Sequence, residues 1–222
     1  MRRDLLSALP PVSAISRQWR LRQLRDPRFA FLLDPPPPDE WVAIDCETTG
    51  LNARTDEIVS IGAVRIEGSR ILTSERLELL VRPEHGVSEH SVRLHQLRER
   101  DVAQGLSLED AITKLLYFMG GRPLVGYYLN FDVAMLNRTI QPMLGWPLPQ
   151  EQIDVSAMYY EHKFKQLAPY QQNDSANIDL HFATMMRDLE LPVFESHDAL
   201  DEAVMAAMAF VKLRRAIKKP GT

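Results

Sequence analysis

Residues 41–50 read WVAIDCETTG: four apolar or small residues run straight into two carboxylates, Asp45 and Glu47, set one residue apart. Side chains alternate along a strand, so Asp45 and Glu47 share one face and Cys46 takes the other. Two like charges this close repel and raise each other's pKa unless a cation sits between them. Thr48 and Thr49 follow, and then Gly50, where the missing Cβ lets backbone or a ligand approach closely. An isolated D-x-E is also compatible with two solvated acids beyond a strand end, because so short a pattern recurs by accident. The surroundings have to decide.

Working outward, EIVSIGAVRI (57–66) and LTSERLELLV (72–81) read as second and third strands, with Glu67-Gly68-Ser69-Arg70 as the hairpin turn between them. The period then changes. SLEDAITKLLYFMG (107–120) has apolar residues at Leu108, Ile112, Leu115, Leu116 and Met119, a helical spacing with Ser107 as N-cap and Gly120-Gly121 as its close. PLVGYY (123–128) is a short buried strand, FDVAMLNRTIQPML (131–144) is helical until Pro142, and QIDV (152–155) is another strand. Helices are expected near 155–165 and 176–190, and DALDEAVMAAMAFVKLRRAI (198–217) is a long helix rich in alanine and methionine. Three strands followed by alternating helices and strands indicate an α/β domain on a mixed sheet. On the N-terminal side, the four prolines 35–38 form a stiff extended connector, and Leu21, Leu24 and neighbouring arginines predict a helical arm before it.

With 222 residues, 45% hydrophobic and 25% charged, the chain is long enough for one sizeable core and an appendage. No run approaches the roughly 18 apolar residues of a membrane span. The N-terminus has scattered arginines in place of a compact apolar stretch, so the expectation is a cytoplasmic protein with no membrane partner. The single cysteine, Cys46, can make neither an internal disulfide nor a multi-cysteine zinc site. The formal charge is −4, unevenly spread: residues 1–28 hold seven arginines against Asp4 and Asp26, a local +5, and Lys212, Arg214, Arg215, Lys218 and Lys219 make the C-terminus basic. A middle more acidic than the total can hold cations, although each basic segment alone reads equally as a solvated helix face.

Two further acidic segments stand out. Asp132 in GYYLNFD (126–132) follows a buried strand at the start of a helix, where it also suits the helix dipole with Asn130 as N-cap. SHDALDEA (196–203) puts His197, Asp198, Asp201 and Glu202 at the opening of the last helix; Asp198 with Asp201 resembles a capping box, which leaves His197 and Glu202 unexplained.

Together these segments resemble, in order and spacing, the DEDDh (DnaQ-like) family of 3′-to-5′ exonucleases. The family's D-x-E-T-T-G stands intact as Asp45 to Gly50. Its G-H-N-x-x-F-D is matched by Gly126 to Asp132 with Tyr127 and Tyr128 in place of histidine and asparagine. Its H-x-A-x-x-D is matched by His197 to Glu202, with glutamate where the family has aspartate. SVRLHQLRERDV (91–102) is similar to the family's I-H-G-I-T segment around His95, with Gln96 in the glycine position. The resemblance covers roughly residues 40–217. It implies a ribonuclease H-like exonuclease fold, a mixed central sheet of three antiparallel strands and then parallel strands flanked by helices. It also divides the chain into a basic arm and proline connector (1–38), an exonuclease domain (39–217) and a tail (218–222).

The resemblance further implies a pair of Mg²⁺ or Mn²⁺ ions, hard cations suited to carboxylates and not to the cysteine. Asp45 would bridge both, Glu47 and Glu202 would complete the ion beside the attacking water, Asp132 would hold the other, and His197 would be the general base, work that an imidazole pKa near 6.5 suits. Thr48, Thr49, Gly50, Leu51, His95 and Phe131 would line the pocket for the terminal nucleotide. A helical wheel does not choose between Asp201 and Glu202 as the third-segment ligand; the five-residue step from His197 selects Glu202 by resemblance. The implied activity is release of 5′-mononucleotides from a nucleic-acid 3′ end, DNA favoured, with an exoribonuclease or a catalytically weakened nucleic-acid-binding relative as alternatives. A haloacid dehalogenase-type phosphatase is disfavoured by Glu47, which stands where that class has a second aspartate, and by the hairpin directly afterwards. Because the chain ends about twenty residues past the third segment, the expectation is an enzyme that stands alone or is tethered differently from the family's polymerase-bound members, with the N-terminal arm as the place for a protein partner.

Overall fold

The computed structural model describes residues 14–85, 103–173, 177–194 and 198–218. Its strands are β1 (Glu40–Thr48), β2 (Ile58–Glu67), β3 (Arg70–Leu80), β4 (Leu124–Gly126) and β5 (Gln152–Asp154). Its helices are α1 (Ala14–Gln23), α2 (Leu108–Met119), α3 (Leu129–Leu144), α4 (Val155–Gln166), α5 (Phe182–Asp188) and α6 (Ala199–Lys218). The strands form one mixed sheet in the order β3-β2-β1-β4-β5. β1 and β3 run antiparallel to β2, while β4 is parallel to β1 and β5 parallel to β4. This is the mixed α/β architecture expected from the sequence, and short turns explain its antiparallel half: Gly68, with φ +58°, closes the β2–β3 hairpin.

The central strands are buried on both faces, so strand alternation sorts β1 between two cores. Val42, Ile44 and Cys46 pack with Ile112, Leu115, Leu116, Leu136 and Ile140 from α2 and α3. Ala43 on the opposite face packs with Tyr159 of α4, Met185 and Met186 of α5, and Ala206, Ala209, Phe210 and Leu213 of α6. The small side chains of α6 let its backbone lie close to the sheet. At the outer edge β3 is exposed and charged, with Arg70, Glu75, Arg76 and Glu78, a pattern that discourages pairing with another chain. Among the described residues no helix is long and apolar enough to cross a membrane.

Some local expectations are corrected. The third helix begins at Leu129 and not at an Asn130 cap, because Tyr128 takes the left-handed conformation and ends the β4 segment. Pro142 lies inside that helix; its last turn survives because Arg25 donates to the Pro142 carbonyl through Nη1 (3.0 Å) and to the Leu144 carbonyl through its backbone N–H (3.1 Å), satisfying carbonyls a helix end leaves open. The helix expected over 176–190 is confined to Phe182–Asp188, with residues 174–176 outside the described set. The N-terminal segment is helical as expected over Ala14–Gln23, but from Arg17 onward it is also tied to the domain. Arg17 pairs with Asp34 at 2.6 Å, and a 3₁₀ helix, Pro27–Leu33, buries Phe29 and Leu32 in the first core. Gln150 Nε2 donates to the Leu32 carbonyl at 3.0 Å, fixing that segment on the far side of the sheet from α6.

Candidate active site

β1 ends in Asp45-Cys46-Glu47-Thr48, and at that end the parallel neighbour β4 runs out into Tyr127, Tyr128 and α3. Asp132 sits in the first turn of α3, 4% exposed. The backbone N–H groups of Cys46 and of Asp132 itself lie where they favour the charged form of the Asp132 carboxyl. Cys46 thus packs its side chain in the first core while its backbone N–H favours the charge of an acid of the site. Its thiol is pushed up by burial and then by the charges of Asp132 and Asp45.

The third segment arrives from the other face. Asp198 caps α6, its Oδ1 accepting from the N–H groups of Leu200 (2.9 Å) and Asp201 (3.3 Å). The approach of this helix depends on Gly62, the cross-strand partner of Asp45. A Cβ at Gly62 would lie 2.2 Å from the Ala199 carbonyl carbon and the Leu200 nitrogen. Only a glycine lets the head of α6 rest on β2 beside Asp45.

The charges that dominate at Asp45 are all negative. Burial first, then Asp132, Glu202, Glu47 and Asp198, hold its carboxyl well above the usual range. Asp132 is pushed up to about 8; burial is the largest cause, Glu202 and Glu47 add to the rise, and the nearby backbone N–H groups of Cys46 and Asp132 oppose it. Glu47 is 6% exposed. Asp45, Glu47, Asp132 and Glu202, from three distant segments, thus lie near enough for the other three charges to bear on Asp45. Of the two acids weighed on the last helix, Glu202 is among the largest charges bearing on both Asp45 and Asp132. Such a set of oxygen donors fits hard divalent cations, whose charge would relieve the repulsion. The set is open: among the described residues, the one trio of acid or histidine donors drawn within 4.8 Å of one another is elsewhere, Glu57, Glu84 and His85. In that trio Glu57 accepts from both backbone N–H groups and the His85 ring, so hydrogen bonds account for it.

The loop after β1 is held from both sides. Thr48 Oγ1 donates to the Gly50 carbonyl at 2.7 Å, Glu57 N–H donates to Thr49 Oγ1 at 2.9 Å, and Thr49 N–H donates to the Glu57 carbonyl at 2.8 Å. A Cβ at Gly50 would stand 2.6 Å from Asp56 Oδ2, so the close neighbour expected there is this carboxylate, which also accepts from Asn52 N–H at 2.7 Å. Arg138 of α3 donates to the Ala53 and Asp56 carbonyls. Leu51 projects from the loop 90% exposed, and Phe131 packs partly buried against the first core. His95 and His197 lie outside the described residues.

Gly62 was not singled out from the sequence, although an isolated glycine inside a buried strand signals a close backbone approach. Asp198 was read there only as a cap, and the structure adds its charge to the site.

A mixed sheet whose central strand ends in an acid cluster between two helix heads defines the ribonuclease H-like class of exonuclease folds. The chain belongs to the exonuclease family, whose RNase_T model matches residues 42–210. It is 29% identical over 181 residues, 82% of this chain, to a PolC-type DNA polymerase III of Thermotoga maritima, and spans 12% of that relative's length. It is 27% identical over 173 residues to a DNA polymerase III subunit epsilon of Treponema pallidum, covering 78% of this chain and 75% of the relative. In fold it is similar to exonuclease X in complex with 5′ overhanging duplex DNA, with a TM-score of 0.61 at 22% identity over 81% of this chain and 94% of that one.

Proposed function

We propose that this chain is a two-metal-ion 3′-to-5′ exonuclease that acts on nucleic-acid 3′ ends, DNA favoured, and releases 5′-mononucleotides. The observation that carries the reading is the convergence of Asp45, Glu47, Asp132 and Glu202, whose mutual repulsion leaves a site that calls for cations. Asp45, Glu47, Asp132 and Glu202 would together hold a pair of Mg²⁺ or Mn²⁺ ions. Bound there, the ions supply positive charge that polarises the phosphate and makes water more acidic. His197 takes the proton from the attacking water as its oxygen bonds to phosphorus. The bond from phosphorus to the 3′ oxygen of the preceding nucleotide breaks, and that oxygen is protonated from solvent. Thr48, Thr49, Gly50, Leu51, Phe131 and His95 surround the terminal nucleotide, with the exposed Leu51 free to pack against a base or sugar.

DNA is favoured because the similar polymerase III proteins are DNA polymerases by name and the similar exonuclease X was solved with duplex DNA. The basic helix α1, with Trp19 61% exposed, is the surface for a protein partner. The test is degradation of matched DNA and RNA oligonucleotides labelled at either end. The reading expects mononucleotides from the 3′ end that need Mg²⁺ or Mn²⁺ and are lost in Asp45→Ala and His197→Ala. Internal cutting, or cleavage that persists in EDTA, overturns it; faster loss of RNA shifts it to an exoribonuclease.

A further inference from the structure

We propose that Tyr128 is a stacking platform for a nucleobase near the 3′ end of the bound strand, an assignment that rests on the nuclease reading above. Tyr128 stands directly before α3, with Asp132 one helical turn further on. Two aromatic rings are arranged in a row behind it. Tyr127 is stacked on Phe182 with centroids 4.3 Å apart and planes at 5°, and its hydroxyl donates to the Leu180 carbonyl at 2.8 Å. That ring is fixed in the second core. Tyr128 leans on it at 4.5 Å and 52° and remains 50% exposed.

The backbone says what this residue is not for. Tyr128 has φ +48° and ψ +38°, one of three positive-φ residues other than glycine among the described residues. Asparagine tolerates this left-handed region far better than a bulky aromatic does. As the residue capping α3, Tyr128 makes no side-chain cap hydrogen bond. A strained tyrosine that caps nothing and buries only half its surface is poorly explained by folding, and strain of this kind concentrates at ligand-binding positions. What it offers is an open aromatic face, braced from behind by a rigid row of rings, beside the acids proposed to cut the strand. Any base has a π-face that can extend this row, so the contact holds a strand without reading its sequence.

The experiment uses the full chain, without added metal, and single-stranded DNA carrying 2-aminopurine at the 3′-terminal or one of the next three positions. Stacking on Tyr128 quenches the fluorophore at one of these positions in the wild type. Tyr128→Asn and Tyr128→Leu abolish that quench and weaken binding by about 5- to 150-fold, the range for loss of one base stack. Tyr128→Phe keeps both. With Mg²⁺ present, the Asn and Leu variants raise KM by the same factor with a much smaller effect on kcat. Tyr128→Asn relaxes the left-handed backbone, so its Tm is equal to or above that of the wild type while its affinity falls, a pairing that a packing role cannot produce. The proposal is overturned by an unchanged quench in Tyr128→Asn, by a loss in kcat with KM unmoved, or by a lowered Tm for Tyr128→Asn. A wild-type chain that binds and cuts no oligonucleotide overturns the nuclease reading itself; one that cuts but shows no quench at any position overturns the platform alone.

Discussion

Replacing Gly62 with alanine tests whether the seat of one helix governs the site. The added Cβ would stand 2.2 Å from backbone atoms of Ala199 and Leu200, where ordinary contact begins at 3.4 Å. The head of α6 must therefore move by about 1.2 Å, because it meets main chain that cannot rotate aside. Gly62 pairs with Asp45 across β1 and β2, so the shift opens at the acid cluster and carries Glu202 and Asp198 away from Asp45. Misplacement of about 1 Å costs on the order of a hundredfold in rate, and overpacking costs about 1–3 kcal/mol in stability. The expected outcome is a folded protein whose kcat on 5′-labelled single-stranded DNA falls about a hundredfold, with weaker Mn²⁺ uptake by calorimetry. Leu213→Ala supplies the control: it empties a fully buried position further along α6 and costs about 2–5 kcal/mol without crowding the helix head. Gly62→Ala with kcat within threefold of wild type, or Leu213→Ala losing kcat as deeply, would refute the reasoning.

Other outcomes follow from the same geometry. In the metal-free protein Asp132 titrates near 8 when folded, against 3.8 for a free aspartate, so between those values the folded state holds a proton that the unfolded state has released. This group's stabilising contribution is whole below about pH 4 and is lost as pH rises to 8, a change on the order of 5 kcal/mol. Tm without metal should fall across that window, Mn²⁺ should flatten the decline, and Mn²⁺ uptake near pH 7 should release protons, read from calorimetry in buffers of different ionisation enthalpy; a Tm that climbs through the window contradicts the assignment. Glu202→Ala should abolish activity while Asp201→Ala keeps most of it, and the reverse pattern would transfer the ligand role to Asp201. Phe29→Ala, at a position 1% exposed in the first core, should cost about 3–5 kcal/mol in urea unfolding; a cost below about 1 kcal/mol would show that residues 27–33 are a loose attachment.

What the sequence made legible was whatever short-range periodicity controls. The strand running into Asp45 and Glu47, the turn at Gly68 and the Ser107-capped helix all follow from alternation, a glycine at positive φ and a hydroxyl accepting from Asp110 N–H at 3.1 Å. The convergence of Asp45, Asp132 and Glu202 lies beyond periodicity, since Asp45 and Asp132 each had a sufficient local explanation as a solvated acid or a first-turn acid, capping left only His197 and Glu202 unexplained, and motif order alone joined the segments. Structure shows these explanations to be compatible, because Asp198 caps α6 and also adds its charge at Asp45. A helix head that begins at the site must present its capping acids there, so cap and site are one local arrangement seen at two scales. The same logic explains why Gly62 and Phe29 were hidden. Gly62 matters through a backbone far along the chain, and Phe29 is buried by tertiary contacts in a stretch whose prolines and arginines read as linker. Tyr128 is the opposite case: its identity was visible, but its left-handed backbone and its place at the end of a row of rings come from how β4 ends against α5. A residue that breaks a local rule without repaying the fold is where sequence reasoning should fail and function should be sought.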